Sequence, residues 1–469
     1  MTNPSPSVKD KTTLSEQLAS WYLALDAASL PDDITERTKL HVLDILGLAL
    51  VGAPREPGRK VRDAVLSMFP GTECRILGYG DRVGVLGAAM ANGTMAHDME
   101  YDDTHIESIV HVANSIVTTA MSIGQTRALA GRELITAVAG GNEISCRIGV
   151  VAPGRMHKVG YHATGVVGTM AAAFVASRLM GLNLDATRHA AGIAGSQAAG
   201  IMECWADGTW SKFLHPGFAA QNGIIAANLA GTGFTGPGTV FEGRFGYYKS
   251  HVQDPGYAYD FDRLVSGLGS RWESRNISFK PYPNAHFIHS FLDVLFQLTR
   301  EHSVKADEVD SIMCPIADYM IPVVCEPVAE KVAPASDWHG RVSLQYSIAE
   351  ALCTGRMDGR SYEPSQLRNP QVLDMAKRVE FRIDGTAPPP GRFKGWIILK
   401  LKNGRTLEGV TEYNRGSAEL PMSPDDIRAK FRDNATLMLP ADRVADIVKM
   451  VDRLETLNDI RPLVDLCCR

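Results

Sequence analysis

The segment NGTMAHDMEYDDTHIESIVHVANS, residues 92–115, crowds Asp98, Glu100, Asp102 and Asp103 together with His97, His105 and His111. Three uses suit so many titratable groups in one place: a metal site, an acid/base or substrate-binding site, or a solvated acidic loop. The ligand types are right for a metal, but a two-histidine, one-carboxylate site needs a fixed spacing on one element, and the spacing here is irregular. Acid/base use fits better, since an imidazole with an unperturbed pKa of about 6.5 exchanges protons near neutral pH. Asp102 could equally cap the helix that follows.

Four further stretches place polar groups where a plain core would not. GYHATG sets His162 ahead of Thr164, Gly165 and a small-residue helix, where the backbone N–H donors of a helix N-terminus favour an anionic ligand. DGTWSKFLHPG offers Lys212 and His215 between Trp210 and a Pro-Gly stop. FKPYPNAHFIHS supplies Lys280, Tyr282, His286 and His289 from a loop stiffened by two prolines. HGRVSLQYSIAEAL brings His339, Arg341, Ser343 and Tyr346 just before a helix. By contrast, isolated histidines such as His41, His189, His251 and His302 read as surface or hydrogen-bonded residues. Cys204 beside Trp205 reads as a packed thiol, because no Cys-His pattern accompanies it.

These segments need a large scaffold. The chain has 469 residues, enough for two domains or one domain with an insertion, and its 45% hydrophobic and 22% charged composition is that of an ordinary globular protein. Its net charge of −5 and lack of a Lys/Arg run argue against nucleic acid as a partner. The eight cysteines are scattered, without the C-x-x-C clusters of zinc or iron–sulfur sites, and neither a dinucleotide-binding nor a phosphate-binding glycine loop is present. No cofactor and no metal are expected, so side chains alone would carry the chemistry. The start of the chain lacks a signal-like apolar stretch, and HVLDILGLALVGA is too short to span a membrane and carries Asp44. A reduced, cytoplasmic protein is expected.

From about Thr13 to Gly233 the pattern is helical. DDITERTKLHVLDILGLALVG opens on an acidic cap and places Leu40, Leu43, Leu46 and Leu50 three and four apart, a core-facing stripe. The runs GTMAAAFVASRLMGLNLDATRHAAGIAGSQAAGI and QNGIIAANLAGTG, rich in small residues, predict closely approaching buried helices. Between about 234 and 275 glycine, proline and aromatics suggest a boundary or a long ordered connection. VKADEVDSIMCPI and KRVEFRIDG predict short strands, and GWIILKLKNGRTLEGVTEY predicts a hairpin turning at Asn403-Gly404. Ser423, with Asp425 and Asp426 behind it, opens a return to capped helices. The fold class read from these elements is mainly α: a large all-helical domain with a smaller α/β domain inserted. The divisions fall at 1–268 (helical), 269–405 (α/β) and 406–469 (helices completing the first).

Seven ordered motifs resemble the MmgE/PrpD family, which includes 2-methylcitrate dehydratase, cis-aconitate decarboxylase and iminodisuccinate epimerase. They are NGTMAHDMEYDDTHIESIVH, GYHATGVVGTMAAA, DGTWSKFLHPGFAAQNG, FTGPGTVFEGRFG, FKPYPNAHFIH, RVSLQYSIAEAL and NRGSAELPMSPDDIRAKF. The resemblance implies that the α/β part acts as a lid, that the chain forms a homodimer, and that a cofactor-free site lies in the cleft between the domains. Carried over, it implies substrate contacts from Glu100, Asp102, Thr104, His111, His162, Lys212 and Lys280, with His111, His162, Lys212 and Asp102 expected to be catalytic. Tyr282, His286 and His289 are expected to join Glu100, Thr104 and Lys280 in binding substrate. The chain departs from the family pattern at Glu100, at Val112-Ala113 and at Asn284-Ala285-His286, where the family commonly has Asp, Pro-Ser and Cys-Cys-Arg. The implied substrate is a small di- or tricarboxylate. The implied activity is that of a hydro-lyase of the citrate or methylcitrate type first, with decarboxylation or epimerisation as the alternatives and a catalytically silent dimeric binding protein as the reading from another class.

Overall fold

A computed structural model describes residues 12–389 and 391–469, and the chain is mainly helical. The leucine stripe forms the Asp32–Gly52 helix: Leu43, Leu46 and Leu50 are buried, while Leu40 packs on a small separate cluster of Phe279, Met422 and Ile427. Fully burying each such side chain stabilises the fold by about 1.5–3 kcal/mol. The larger apolar core runs from Leu18 to Ile277 and resumes from Phe431 to Cys468. Ser423 caps the Pro424–Ala435 helix by accepting from the Asp426 N–H at 3.1 Å. This helix returns the chain to the Asp32–Gly52 helix, where Lys430 reaches Asp44 at 2.8 Å.

Of the two readings of residues 234–275, a boundary or a long ordered connection, the structure shows the ordered stretch, packed into this larger core. Phe241, Tyr247 and Tyr248 are buried in it, their rings meeting in tilted and edge-on contacts. Burial of that aromatic surface outweighs the chain-breaking tendency of its glycines and prolines.

A second apolar core spans Ile288 to Leu407. Its sheet has four strands, in spatial order Val379–Ile383, Val309–Ile316, Gly395–Leu401 and Thr406–Thr411; the first pair is parallel and the others antiparallel. The hairpin turns with Gly404 at φ 85°, a backbone conformation suited to glycine. Because Thr406–Thr411 is its second strand, the sheet continues past the division expected at 405. The His286–His302 helix packs across this sheet.

Small residues set the helix spacing that the site depends on. Gly93, on the Val85–His97 helix, meets Gly217, on the His215–Gly231 helix, so closely that a Cβ at Gly93 would fall 2.7 Å from the Gly217 Cα. That obstacle is backbone and cannot rotate away. Gly93→Ala is therefore expected to cost about 1–3 kcal/mol, the range for overpacking a close contact. Urea denaturation checks this, and an unchanged midpoint would contradict the stated packing.

Two contacts hold the acidic segment to the chain that leads from the larger core into the smaller. Thr104–His105 forms a two-residue antiparallel ladder with Ile277–Ser278. Arg341, fully buried, donates to the carbonyls of Met99 at 2.9 Å and Pro283 at 3.0 Å, pinning the acidic segment to the loop that carries Lys280. Among the described residues, no helix is long and apolar enough to cross a membrane.

Candidate active site

The acidic segment is not a solvated loop: Asp98, Glu100, Asp102 and Asp103 are all buried. It leaves the Val85–His97 helix, turns, and enters the Ala113–Thr126 helix. Asp103, rather than Asp102, caps that second helix, accepting from the N–H groups of Val112 and Ala113 at 3.0 Å each. Asp102 is thereby free to face two imidazoles. Its carboxylate accepts from His97 Nδ1 at 2.8 Å, lies 3.2 Å from His111 Nδ1, and accepts from the Asn114 side-chain amide at 3.2 Å. Burial pushes the Asp102 carboxyl up, but His97 and His111 overcome this and hold it well below the usual carboxylate range.

The imidazole tautomers follow from their partners. His111 Nδ1 faces the Asp103 carbonyl at 2.9 Å as well as Asp102, so it carries a proton and leaves Nε2 to exchange protons with the cavity. His97 donates through Nδ1 to Asp102 and faces the Lys212 ammonium, 3.2 Å from its Nε2, which must accept. Burial lowers His97 to about 4, so it is neutral at physiological pH. His162, just ahead of the Ala163–Leu179 helix, pairs Nδ1 to Nδ1 with His215 at 2.9 Å. Burial lowers both, His215 to about 3, so one proton lies between two neutral rings and their tautomers are complementary.

Lys212 and Lys280 converge on Glu100. Lys212 forms an ion pair with the Glu100 carboxylate and lies 5.3 Å from the Trp338 ring centre. Lys280 donates to the Glu100 carbonyl at 3.0 Å and stands 3.9 Å from its carboxylate. Burial would raise Glu100, but the two ammonium groups dominate and depress it strongly. Its φ of 51° places a non-glycine residue in the left-handed region, backbone strain retained where two cations must share one carboxylate.

These groups open into a cavity of about 420 Å³. Glu100, Thr104, His111, His162, Lys212, Lys280 and His286 all line it, brought together from four separate stretches of sequence. Asp102 stands behind His97 and His111. Three expected substrate contacts, Asp102, Tyr282 and His289, are not brought to the cavity wall. Tyr282 donates to Asp293 at 2.9 Å and lines a separate groove, and His289 is fully buried with Nε2 3.2 Å from the Asn284 carbonyl. Both side chains are held by the Asn284–Asp293 region itself, which turns them from the cavity. Of the histidines gathered here, sequence reasoning names His97 and His215 without giving them a role, and does not single out His157. His97 and His215 sit inside segments already singled out, whereas nothing in GRMHKVG distinguishes His157, which lines the wall.

The ligating nitrogens of His97, His111 and His162 lie within 4.8 Å of one another. They fit a metal ion poorly, because His97 already engages both nitrogens and the ammonium beside it repels a cation. Cys204 is a buried thiol whose pKa burial raises, in keeping with a packing role.

Residues 16–260 match the MmgE/PrpD N-terminal domain and residues 282–456 the MmgE/PrpD C-terminal domain. The chain is 28% identical over 489 residues to the cis-aconitate decarboxylase of Aspergillus terreus, covering 99% of this chain and 98% of that protein. It is 29% identical to the enzymes of the same name from Mus musculus and Homo sapiens, covering 97% of this chain and 93% and 94% of theirs.

Proposed function

This chain belongs to the MmgE/PrpD family, and from that premise we propose that it is a lyase that decarboxylates a small unsaturated carboxylic acid without a cofactor. The observation that carries the reading is the meeting of the Lys212 ammonium and the Nε2 of His111 in one cavity. In the reaction, the bond from carbon to the departing carboxylate breaks, and its electron pair passes through the double bond into the system conjugated with a retained carboxylate. CO₂ leaves and one proton is delivered to carbon. Negative charge grows on the retained carboxylate, beside which Lys212 supplies a fixed positive charge. His111, oriented by Asp102 and the Asp103 carbonyl, delivers the proton, and Thr104 and His162 border the same space.

Decarboxylation is placed ahead of the dehydration expected from sequence for a chemical reason. Expelling hydroxide calls for a base and a separate acid, and burial leaves His97 and His157 at about 4 and His162 well below its usual value, so these three rings are neutral and only His111 and the lysines remain as proton donors. Decarboxylation needs only charge stabilisation and one proton. The names of the three relatives support the same order. Incubation with cis-aconitate, citrate, 2-methylcitrate, iminodisuccinate and the unsaturated dicarboxylates glutaconate and pentylglutaconate in D₂O, followed by NMR, tests it: CO₂ release with one deuteron gained at carbon from at least one unsaturated acid is expected, and water loss or stereochemical inversion in its place would overturn it. The lid role of the α/β part and a homodimer complete the proposal, the latter measurable by sedimentation velocity.

Lys280 adds a pH dependence. Burial lowers it to about 8, so its ammonium is intact at neutral pH and is lost as pH rises through 8. The expected profile of kcat/KM therefore falls on the basic side near pH 8, and Lys280→Arg moves that fall above pH 10 because guanidinium stays charged. A basic limb unchanged by this substitution would assign the titration to another group.

A further inference from the structure

Resting on the decarboxylase reading, we propose that the natural substrate carries at most two carboxylates and an apolar arm, the arm seated against Ile106, Ile109, Met202, Trp205, Phe287 and Phe393. These six side chains line the same cavity as the lysines and histidines. The charges facing the cavity are few. Lys212 and Lys280 are its cations, Glu100 offsets one of them, and no arginine lines the wall. The net is one positive charge, or two with His111 protonated. A tricarboxylate would leave at least one carboxylate without a cation, set against largely apolar wall, which is costly. An apolar arm has the opposite preference, since it leaves water for a wall of aliphatic and aromatic carbon.

The backbone supplies an independent observation. Ile109 adopts φ 56°, in the left-handed region that β-branched residues avoid. Glycine or asparagine would relieve that strain. An isoleucine retained there, with its side chain on the cavity wall, is consistent with a site that uses its apolar surface.

Calorimetric titration with saturated acids, which have no double bond to react, tests the proposal on the whole protein. Succinate, propylsuccinate and pentylsuccinate are expected to bind about fourfold more tightly per added methylene. Tricarballylate, with three carboxylates, is expected to bind more weakly than propylsuccinate. Lys212→Ala should abolish binding of the whole series, locating it in this cavity. Ile109→Asn suits the left-handed backbone, so it should keep the melting temperature while flattening the gain to below twofold per methylene. Trp205→Ser, at a residue 39% exposed whose ring meets Trp338 edge-on, should do the same, with the melting temperature as the control for folding. Tighter binding of tricarballylate, a flat series, no saturable binding, or a gain that survives both wall substitutions would overturn the proposal. Because these ligands are not turned over, a chain-length gain without CO₂ release in the NMR assay would sink only the decarboxylase reading. CO₂ release with a flat series would sink only this one.

Discussion

Lys212→Ala is expected to lower kcat/KM by about 10³-fold, with kcat falling and KM rising together. Removing one preorganised donor to a developing oxyanion costs about 10²–10³ in rate. Here the loss is at the upper end, because the same ammonium also neutralises Glu100 and contacts His97 Nε2 at 3.2 Å. Without it, the Glu100 carboxylate keeps only Lys280 and turns its field against an anionic substrate. Lys212→Arg is not expected to rescue, since a planar guanidinium does not fit between Glu100 and the edge of His97. Initial rates on the substrate identified by NMR, with melting curves to establish folding, check both. A folded Lys212→Ala protein with kinetics near wild type would remove Lys212 from the reaction.

The second large effect concerns Asp102, a positioning residue that does not line the cavity. Asp102→Asn keeps the shape but replaces a carboxylate that two imidazoles share with a neutral amide. Its amide then presents either a weaker acceptor or an N–H to His97 and His111, disturbing both tautomers. A drop in kcat of about 10³–10⁴ is expected with little change in KM, the scale known for the carboxylate behind histidine in a serine-protease triad. The diagnostic is non-additivity: in a His111→Ala background, itself down about 10²–10⁴, Asp102→Asn should cost little more. Full multiplication of the two losses would show Asp102 acting independently of His111. The wild-type acid limb of kcat should also shift in Asp102→Asn, which a purely structural role would not produce.

Much of the scaffold was legible in local chemistry. The three- and four-residue leucine spacing of residues 40–50, the Asn403-Gly404 turn and the Ser423 cap each depend on neighbours within a few positions, and each forms as those neighbours require. The Gly- and Pro-flanked loops also marked where cations and imidazoles leave the helices. Lys212, Lys280, His111, His162 and His286 all reach one cavity.

What the sequence by itself determined, then, was which segments carry the chemistry and what kind of element holds each. Tertiary structure alone decided which atoms meet. Lys212 and Lys280 lie 112 and 180 residues from Glu100, and no spacing rule operates over such distances. Nor could composition tell that Asp103 would cap a helix while its neighbour Asp102 turned to His97 and His111, since both carboxylates could cap. The choice is made by which one the ladder of Thr104–His105 with Ile277–Ser278 leaves pointing at the helix N–H groups. Tyr282 and His289, by contrast, found partners only 11 and 5 residues away, Asp293 and the Asn284 carbonyl, through the local turn of their loop into the helix that starts at His286. Hydrogen-bond partners inside a packed protein are fixed by atoms arriving from remote parts of the chain, whereas helices, turns and caps are fixed by residues close along it.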